Sequence, residues 1–150
     1  MRLVLAAAIL SLTAGSAFAA DSAQAVLDHH VAQMKAGSLD GVMADYADNA
    51  VVIAPHGIAP GQTNVSGNDV FAGKANIRKF FAVLTDKDHN PGAKSMTTKY
   101  ESRGNDVTLM HWTQFPGTKQ EVKGTDTWVI RGGKIITQVV AVEPAAPAKK

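Results

Sequence analysis

The sequence predicts an α+β domain in which helices come first and a meandering antiparallel sheet follows. Three observations carry this expectation. Apolar residues recur at helical spacing from Ser22 to Tyr46 and again from Lys74 to Leu84. The last third of the chain is four strand-like runs separated by turn residues. The 150 residues contain no cysteine and show no internal repeat, which suits one hydrophobic core and no disulfide scaffold.

The N-terminus reads as a secretory signal peptide over residues 1–19. Arg2 supplies the positive end, Leu3 to Leu12 is apolar except for Ser11, and Ala17-Phe18-Ala19 is a small-x-small cleavage signal. Cleavage after Ala20 would place Phe18 where a small side chain is required, so the cut is expected after Ala19. The apolar run is too short to span a bilayer, and no later stretch is long enough. The expected destination is the periplasm or the outside of the cell, and a cysteine-free chain fits the former better. The mature domain is expected over residues 20–142, with a Pro/Ala/Lys tail at 143–150. Loss of Arg2 leaves 14 basic against 13 acidic residues with no basic run, which argues against nucleic acid as a partner.

Within the domain, Ser22 is placed to cap a helix with Ala23, Val26, Leu27, His30, Val31 and Met34 inward, and Gly37 to stop it. Ser38 caps a second helix with Leu39, Val42, Met43 and Tyr46 on one face. Ala50–Ala54 is a short buried strand, since Val51-Val52-Ile53 is β-branched and continuous. Pro55 to Gly73 is rich in Pro and Gly and reads as a binding loop or lid, with only Val70-Phe71 strand-like. Lys74–Leu84 is a third helix burying Ile77, Phe80, Phe81 and Leu84, and Asp86–Gly92 a polar turn. The strands follow at 93–102, 106–115, 121–131 and 134–142, with hairpin chemistry at Arg103-Gly-Asn-Asp, Pro116-Gly-Thr and Gly132-Gly133.

This order resembles the NTF2-like superfamily, and within it the SnoaL-like proteins. Met34-Lys-Ala-Gly-Ser-Leu-Asp-Gly-Val-Met-Ala-Asp-Tyr-Ala-Asp-Asn-Ala-Val-Val looks like the helix–helix–strand signature, Gly73-Lys-Ala-Asn-Ile-Arg-Lys-Phe-Phe like the third helix, and Thr125-Asp-Thr-Trp-Val-Ile-Arg-Gly-Gly-Lys-Ile like the closing hairpin. The resemblance implies a sheet curled around the helices into a cone, with a pocket at its open end. The superfamily hosts isomerases, cyclases, epoxide hydrolases and non-catalytic binders, so the pocket residues must decide function.

His30 sits mid-stripe on helix 1, while His29 points about 100° away. It is either a core histidine satisfied by a backbone carbonyl or a pocket donor, and the resemblance puts it where ketosteroid isomerases carry an oxyanion-holding tyrosine. Asp126 shares a strand face with Trp128 and Ile130, and by resemblance matches the isomerases' hydrogen-bond-donating carboxyl. It lies inward if Trp128 does; otherwise it faces out beside Thr125 and Thr127. His111 depends on register. If paired residue numbers across the Pro116-Gly117-Thr118 loop add to an odd total, His111 and Leu109 share the pocket face with Asp126, and a His111–Asp126 pair can form. An even total sends His111 outside. Spacing by resemblance favours the odd register.

The departures from the family pattern matter equally. Ala54 stands where the isomerases' general base is an aspartate, so that mechanism is unsupported. Arg78, Arg103 and Arg131 lie on a helix surface or in turns, which does not suit the Asp-Arg-Asp network of epoxide hydrolases. The histidines have no metal-binding spacing, and no cofactor is expected. The expected function is binding of a small apolar or amphipathic molecule, with His30, Asp126, Trp128, Leu109 and Tyr46 around it. The alternative is a hydrolase, isomerase or cyclase using His111–Asp126 for acid–base catalysis, with His30 assisting. The odd register and a tight Gly132-Gly133 turn, pairing Val129 with Ile136 and Thr127 with Gln138, would put Trp112, Met110, Val129, Ile136, Val140 and Val142 on the outer face. Such a patch predicts a homodimer.

Overall fold

The structure, a computed structural model, describes residues 15–58, 63–65 and 67–144. Most of the signal-peptide reading therefore lies outside the described residues, as do residues 145–150 of the tail. Four helices, α1 (Gly15–Ala36), α2 (Leu39–Ala44), α3 (Lys74–Leu84) and α4 (Gly92–Ser95), accompany seven strands. These are β1 (Tyr46–Pro55), β2 (Thr63–Val65), β3 (Asn68–Ala72), β4 (Thr97–Arg103), β5 (Val107–Gln114), β6 (Val122–Arg131) and β7 (Lys134–Val142).

Helix α1 does not begin at Ser22. It runs unbroken from Gly15, because Ala17 to Ala20 are helix-compatible and nothing between them and Ser22 breaks the turn. It buries Leu27, His30, Val31 and Met34, as its periodicity requires. Gly37 ends it at φ +67°, with the Ser38 N–H bonded to the Gln33 carbonyl and the Gly37 N–H to that of Met34. That pair of bonds is a Schellman closure, in which glycine takes the left-handed conformation at no steric cost. Ser38 then caps α2, its Oγ accepting from the Gly41 N–H at 3.2 Å. Tyr46 is the first residue of β1 and not part of α2.

The strands form one sheet in the order β2-β3-β1-β7-β6-β5-β4. Every neighbouring pair is antiparallel except β1–β7, which is parallel. The Pro/Gly-rich segment after β1 supplies two extra short strands, and Ala93, expected to open a strand, lies in α4. Helices α1 and α3 cover the sheet's inner face, where Phe80, Phe81, Phe71, Tyr46, Trp128 and Ile135 are fully buried. Each such side chain contributes roughly 1.5–3 kcal/mol by leaving water.

Two registers differ from expectation. Between β5 and β6 the pairs are Met110 with Asp126, His111 with Thr125 and Trp112 with Gly124, an even total. The connection is wider than Pro116-Gly117-Thr118: Thr118 N–H bonds to the Phe115 carbonyl and Glu121 N–H to that of Thr118, two successive turns that bring Gln114 opposite Val122. Consequently Met110 and Trp112 point inward, while His111 and Leu109 lie on the outer face. Between β6 and β7 the tight turn pairs Arg131 with Lys134 as expected, but the register then shifts between Ile130 and Val129. Ile136 is the extra residue of a bulge. Beyond it Trp128 faces Gln138 and Asp126 faces Val140, so Gln138 and Val140 turn inward. The expected outer patch thus loses Trp112, Met110 and Val140 to the interior and Val142 to the mouth of the cavity, leaving Val129 and Ile136 of the six residues expected there.

Candidate functional site

The inner face of β5–β7, α3, α4 and the middle of α1 enclose a cavity of about 300 Å³. Its lining is mostly apolar, with Phe80, Phe81, Met96, Met110, Trp112 and Trp128 among it. The mouth is apolar as well. Val83, Val122 and Val142 line it at 37%, 37% and 43% exposure, and they are three of the four large apolar side chains left exposed among the described residues.

The polar groups form one chain of hydrogen bonds. Asp126 is 4% exposed, and its Oδ1 accepts from the Trp112 indole N–H at 2.8 Å. Its Oδ2 accepts from the Gln138 amide at 2.7 Å. The Tyr46 hydroxyl donates in turn to Gln138 Oε1. Burial pushes the Asp126 carboxyl up to about 7, against the pull of the two N–H donors. Burial likewise raises the Tyr46 phenol well above its ordinary value, with the Asp126 and Asp45 charges adding to it. Asp126 therefore exchanges its proton near neutrality, and its two neighbours fix both oxygens in place.

His30 lines the same cavity, 2% exposed, and meets Tyr46, Phe81 and Trp128 edge-on at ring-centroid distances of 5.6, 5.3 and 5.0 Å. Burial, then the charge of His29, lowers its pKa to about 3, so the imidazole is neutral. Its Nδ1 has no hydrogen-bond partner, so it is not the carbonyl-satisfied core histidine that one sequence reading allows. Nδ1 lies 3.8 Å from Oδ2 of Asp45, whose carboxylate accepts from His29 Nδ1 at 2.8 and 3.0 Å.

Of the residues expected at the site, His30, Asp126 and Trp128 line the cavity together. Tyr46 stands behind them, reaching Asp126 through Gln138. Leu109 and His111 do not take part. His111 is half exposed on the opposite face, bonded to Thr125 Oγ1 at 2.9 Å, and no His111–Asp126 pair exists. The position expected of His111 belongs to Trp112, a donor only.

Sequence reasoning missed Gln138, because the bulge that turns it inward leaves no local mark. It also missed Asp69. This carboxylate is 1% exposed on β3, directly opposite Ala54, and accepts from His56 Nδ1 at 2.8 Å and Gly57 N–H at 3.0 Å. The hydrogen bond from His56 holds it below the usual carboxylate range. Period-two alternation from Phe71 would have placed Asp69 inward had the segment been read as a strand. Among the described residues, no three His, Cys, Asp or Glu side chains gather as a metal site.

The profile of the SnoaL-like domain matches residues 27–138. The chain belongs to the SnoaL-like family. No curated protein matches it. Solved structures share the fold of this SnoaL-like chain at low identity. An NTF2-like protein of unknown function from Burkholderia xenovorans superposes with TM-score 0.60 at 16% identity, over 87% of this chain and 91% of that one. A second, from Mesorhizobium loti, gives 0.58 at 11%, over 83% and 93%. TerC, co-crystallised with polyporic acid, gives 0.58 at 14%, over 81% and 91%. These likenesses establish the NTF2-like fold.

Proposed function

We propose that this SnoaL-like domain is exported and binds a small, mostly apolar molecule inside its cone, oriented by Asp126 and His30. The observation that carries the reading is a cavity of about 300 Å³ with an apolar lining and mouth around one fixed carboxyl group. A few polar groups in an apolar cleft orient a ligand without consuming it. The co-crystal of TerC with polyporic acid supports the same use of the fold in that protein. The expected result of native mass spectrometry on protein purified from its own cells is a non-covalent small-molecule adduct. A ligand-free mass, together with no change of tryptophan fluorescence on adding naphthalene, would overturn the reading.

The alternative, acid–base catalysis of isomerase or cyclase type, is favoured by one observation: a buried carboxyl, Asp126, lines the cavity, and burial pushes its pKa up to about 7, the range in which a carboxyl both gives and takes protons. In that reading Asp126 acts with His30 and without His111. Turnover abolished in Asp126→Asn would distinguish it from binding alone. Export rests on the sequence. N-terminal sequencing of the mature chain is expected to begin Ala20-Asp21, and a chain retaining Met1 would refute it.

A further inference from the structure

Ile58 is part of the cavity wall and packs against the core, yet it belongs to no helix or strand. β1 ends at Pro55, opposite Asn68, and the chain then leaves the sheet. The place of Ile58 therefore depends on the bonds made by the residues leading to it, and most of these converge on one side chain. The His56 N–H reaches the Gly67 carbonyl at 3.2 Å. The His56 ring and the Gly57 N–H both turn instead to Asp69, one to each carboxylate oxygen, at 2.8 and 3.0 Å. Gly57 takes φ +89°, a conformation that glycine adopts without steric cost, and Ile58 follows directly.

Asp69 is a firm anchor. Its backbone is paired on both sides, with Ala54 of β1 and Asn64 of β2, and its side chain is 1% exposed. Among the described residues its one ion-pair partner is His56. A buried carboxylate requires donors, and charge-assisted bonds are the stronger kind. Both side-chain donors come from the two residues that precede Ile58, so releasing either strips a partner from a buried charge. Asp69 does not line the cavity itself. It reaches the cavity through the chain it holds.

We infer that Asp69 is a positioning residue for ligand size: through His56 and Gly57 it fixes Ile58 as a wall of the cavity, and so limits how bulky an apolar molecule the cone accepts. This rests on the ligand-binding reading above and gives that site a size selectivity.

The test measures the affinities of naphthalene and of the larger pyrene by fluorescence titration of the full chain. Wild type is compared with Ile58→Ala, Asp69→Asn, His56→Ala and the double variant Ile58→Ala/Asp69→Asn. Removing the wall in Ile58→Ala is expected to shift the affinity ratio toward pyrene by roughly tenfold, the discrimination a small change in an apolar wall gives. Asp69→Asn is expected to shift the ratio the same way and to add nothing to Ile58→Ala, because it acts only through that side chain. His56→Ala removes one of the two bonds at an exposed ring, shifts the ratio less, and carries the test if Asp69→Asn does not fold. Hydrogen exchange at the Gly57 N–H, read without any ligand, is expected to quicken in Asp69→Asn. Three results overturn the inference while leaving a ligand-binding cavity standing: a wild-type ratio in Ile58→Ala, a wild-type ratio in both Asp69→Asn and His56→Ala, or full additivity in the double variant. Unchanged Gly57 exchange in Asp69→Asn overturns it as well. Failure of wild type to bind either probe removes the binding reading and this inference with it.

Discussion

Asp126 shows how one side chain's protonation is set by competing neighbours. Burial outweighs the donors Trp112 and Gln138 and leaves the carboxyl near pH 7. Replacing Trp112 with Phe removes the donor at Oδ1 and is expected to raise the Asp126 pKa further. The ionised form then loses the larger of its two donor supports, so stability should drop by up to about 1.4 kcal/mol more at pH 8 than at pH 5, a ceiling set because a carboxyl whose pKa passes 8 keeps its proton instead. Urea unfolding at the two pH values measures this, and an equal loss at both would mean that Asp126 is not ionised at pH 8. At this scale the sequence announced Asp126 and Trp128 by simple alternation. It could not rank His111 above Trp112, because both neighbours are large and either fits a half-buried strand.

At the level of elements, the indole of Trp112 finds room only because its partner across β5–β6 is Gly124. A Cβ on Gly124 would lie 2.2 Å from Trp112 Cζ2 and 2.5 Å from the Ala141 carbonyl oxygen, and the backbone oxygen cannot step aside. Gly124→Ala is expected to cost about 1–3 kcal/mol, as overpacking does. A shifted urea midpoint, with the tryptophan emission changed, checks it; an unchanged midpoint would contradict the pairing of Gly124 with Trp112. Helix α3 and the Gly132-Gly133 hairpin were legible because local spacing and turn chemistry specify them. The β5–β6 register was not, since seven residues of connection hide two turns whose geometry depends on hydrogen bonds distant in no obvious motif. The Ile136 bulge was equally silent, yet it is what carries Gln138 to Asp126. The family resemblance supplied the element order, whereas the face of each strand beyond a loop or bulge had to come from pairing.

For the molecule as a whole, His30 and Asp126 titrate in opposite senses. His30 stays neutral in the fold down to about pH 3, while an unfolded histidine takes a proton near 6.5, so its contribution to stability falls as pH drops through that window. Asp126 keeps its proton up to about pH 7 in the fold, while an unfolded aspartate releases it near 4, so its contribution falls as pH rises. Each slope is roughly 1.4 kcal/mol per pH unit, and between about pH 4 and 6.5 they cancel. His30→Gln removes one of them. The variant's stability relative to wild type should therefore improve steadily from pH 6.5 to 4.5 in urea titrations, and a constant difference would show that His30 protonates normally in the fold. The pairing of β1 with β7 has a consequence in time. The first and last strands meet in the middle of the sheet, so the halves β2-β3-β1 and β7-β6-β5-β4 are joined by no other seam. Closing that seam spans nearly the whole domain, a contact of long sequence separation that forms slowly. As the chain emerges from the ribosome, β1 must wait with one edge bare until Lys134–Val142 has been made. The unfinished chain has no completed sheet to settle into, and a chain still unfolded at the end of synthesis is the form that can be threaded through a narrow channel.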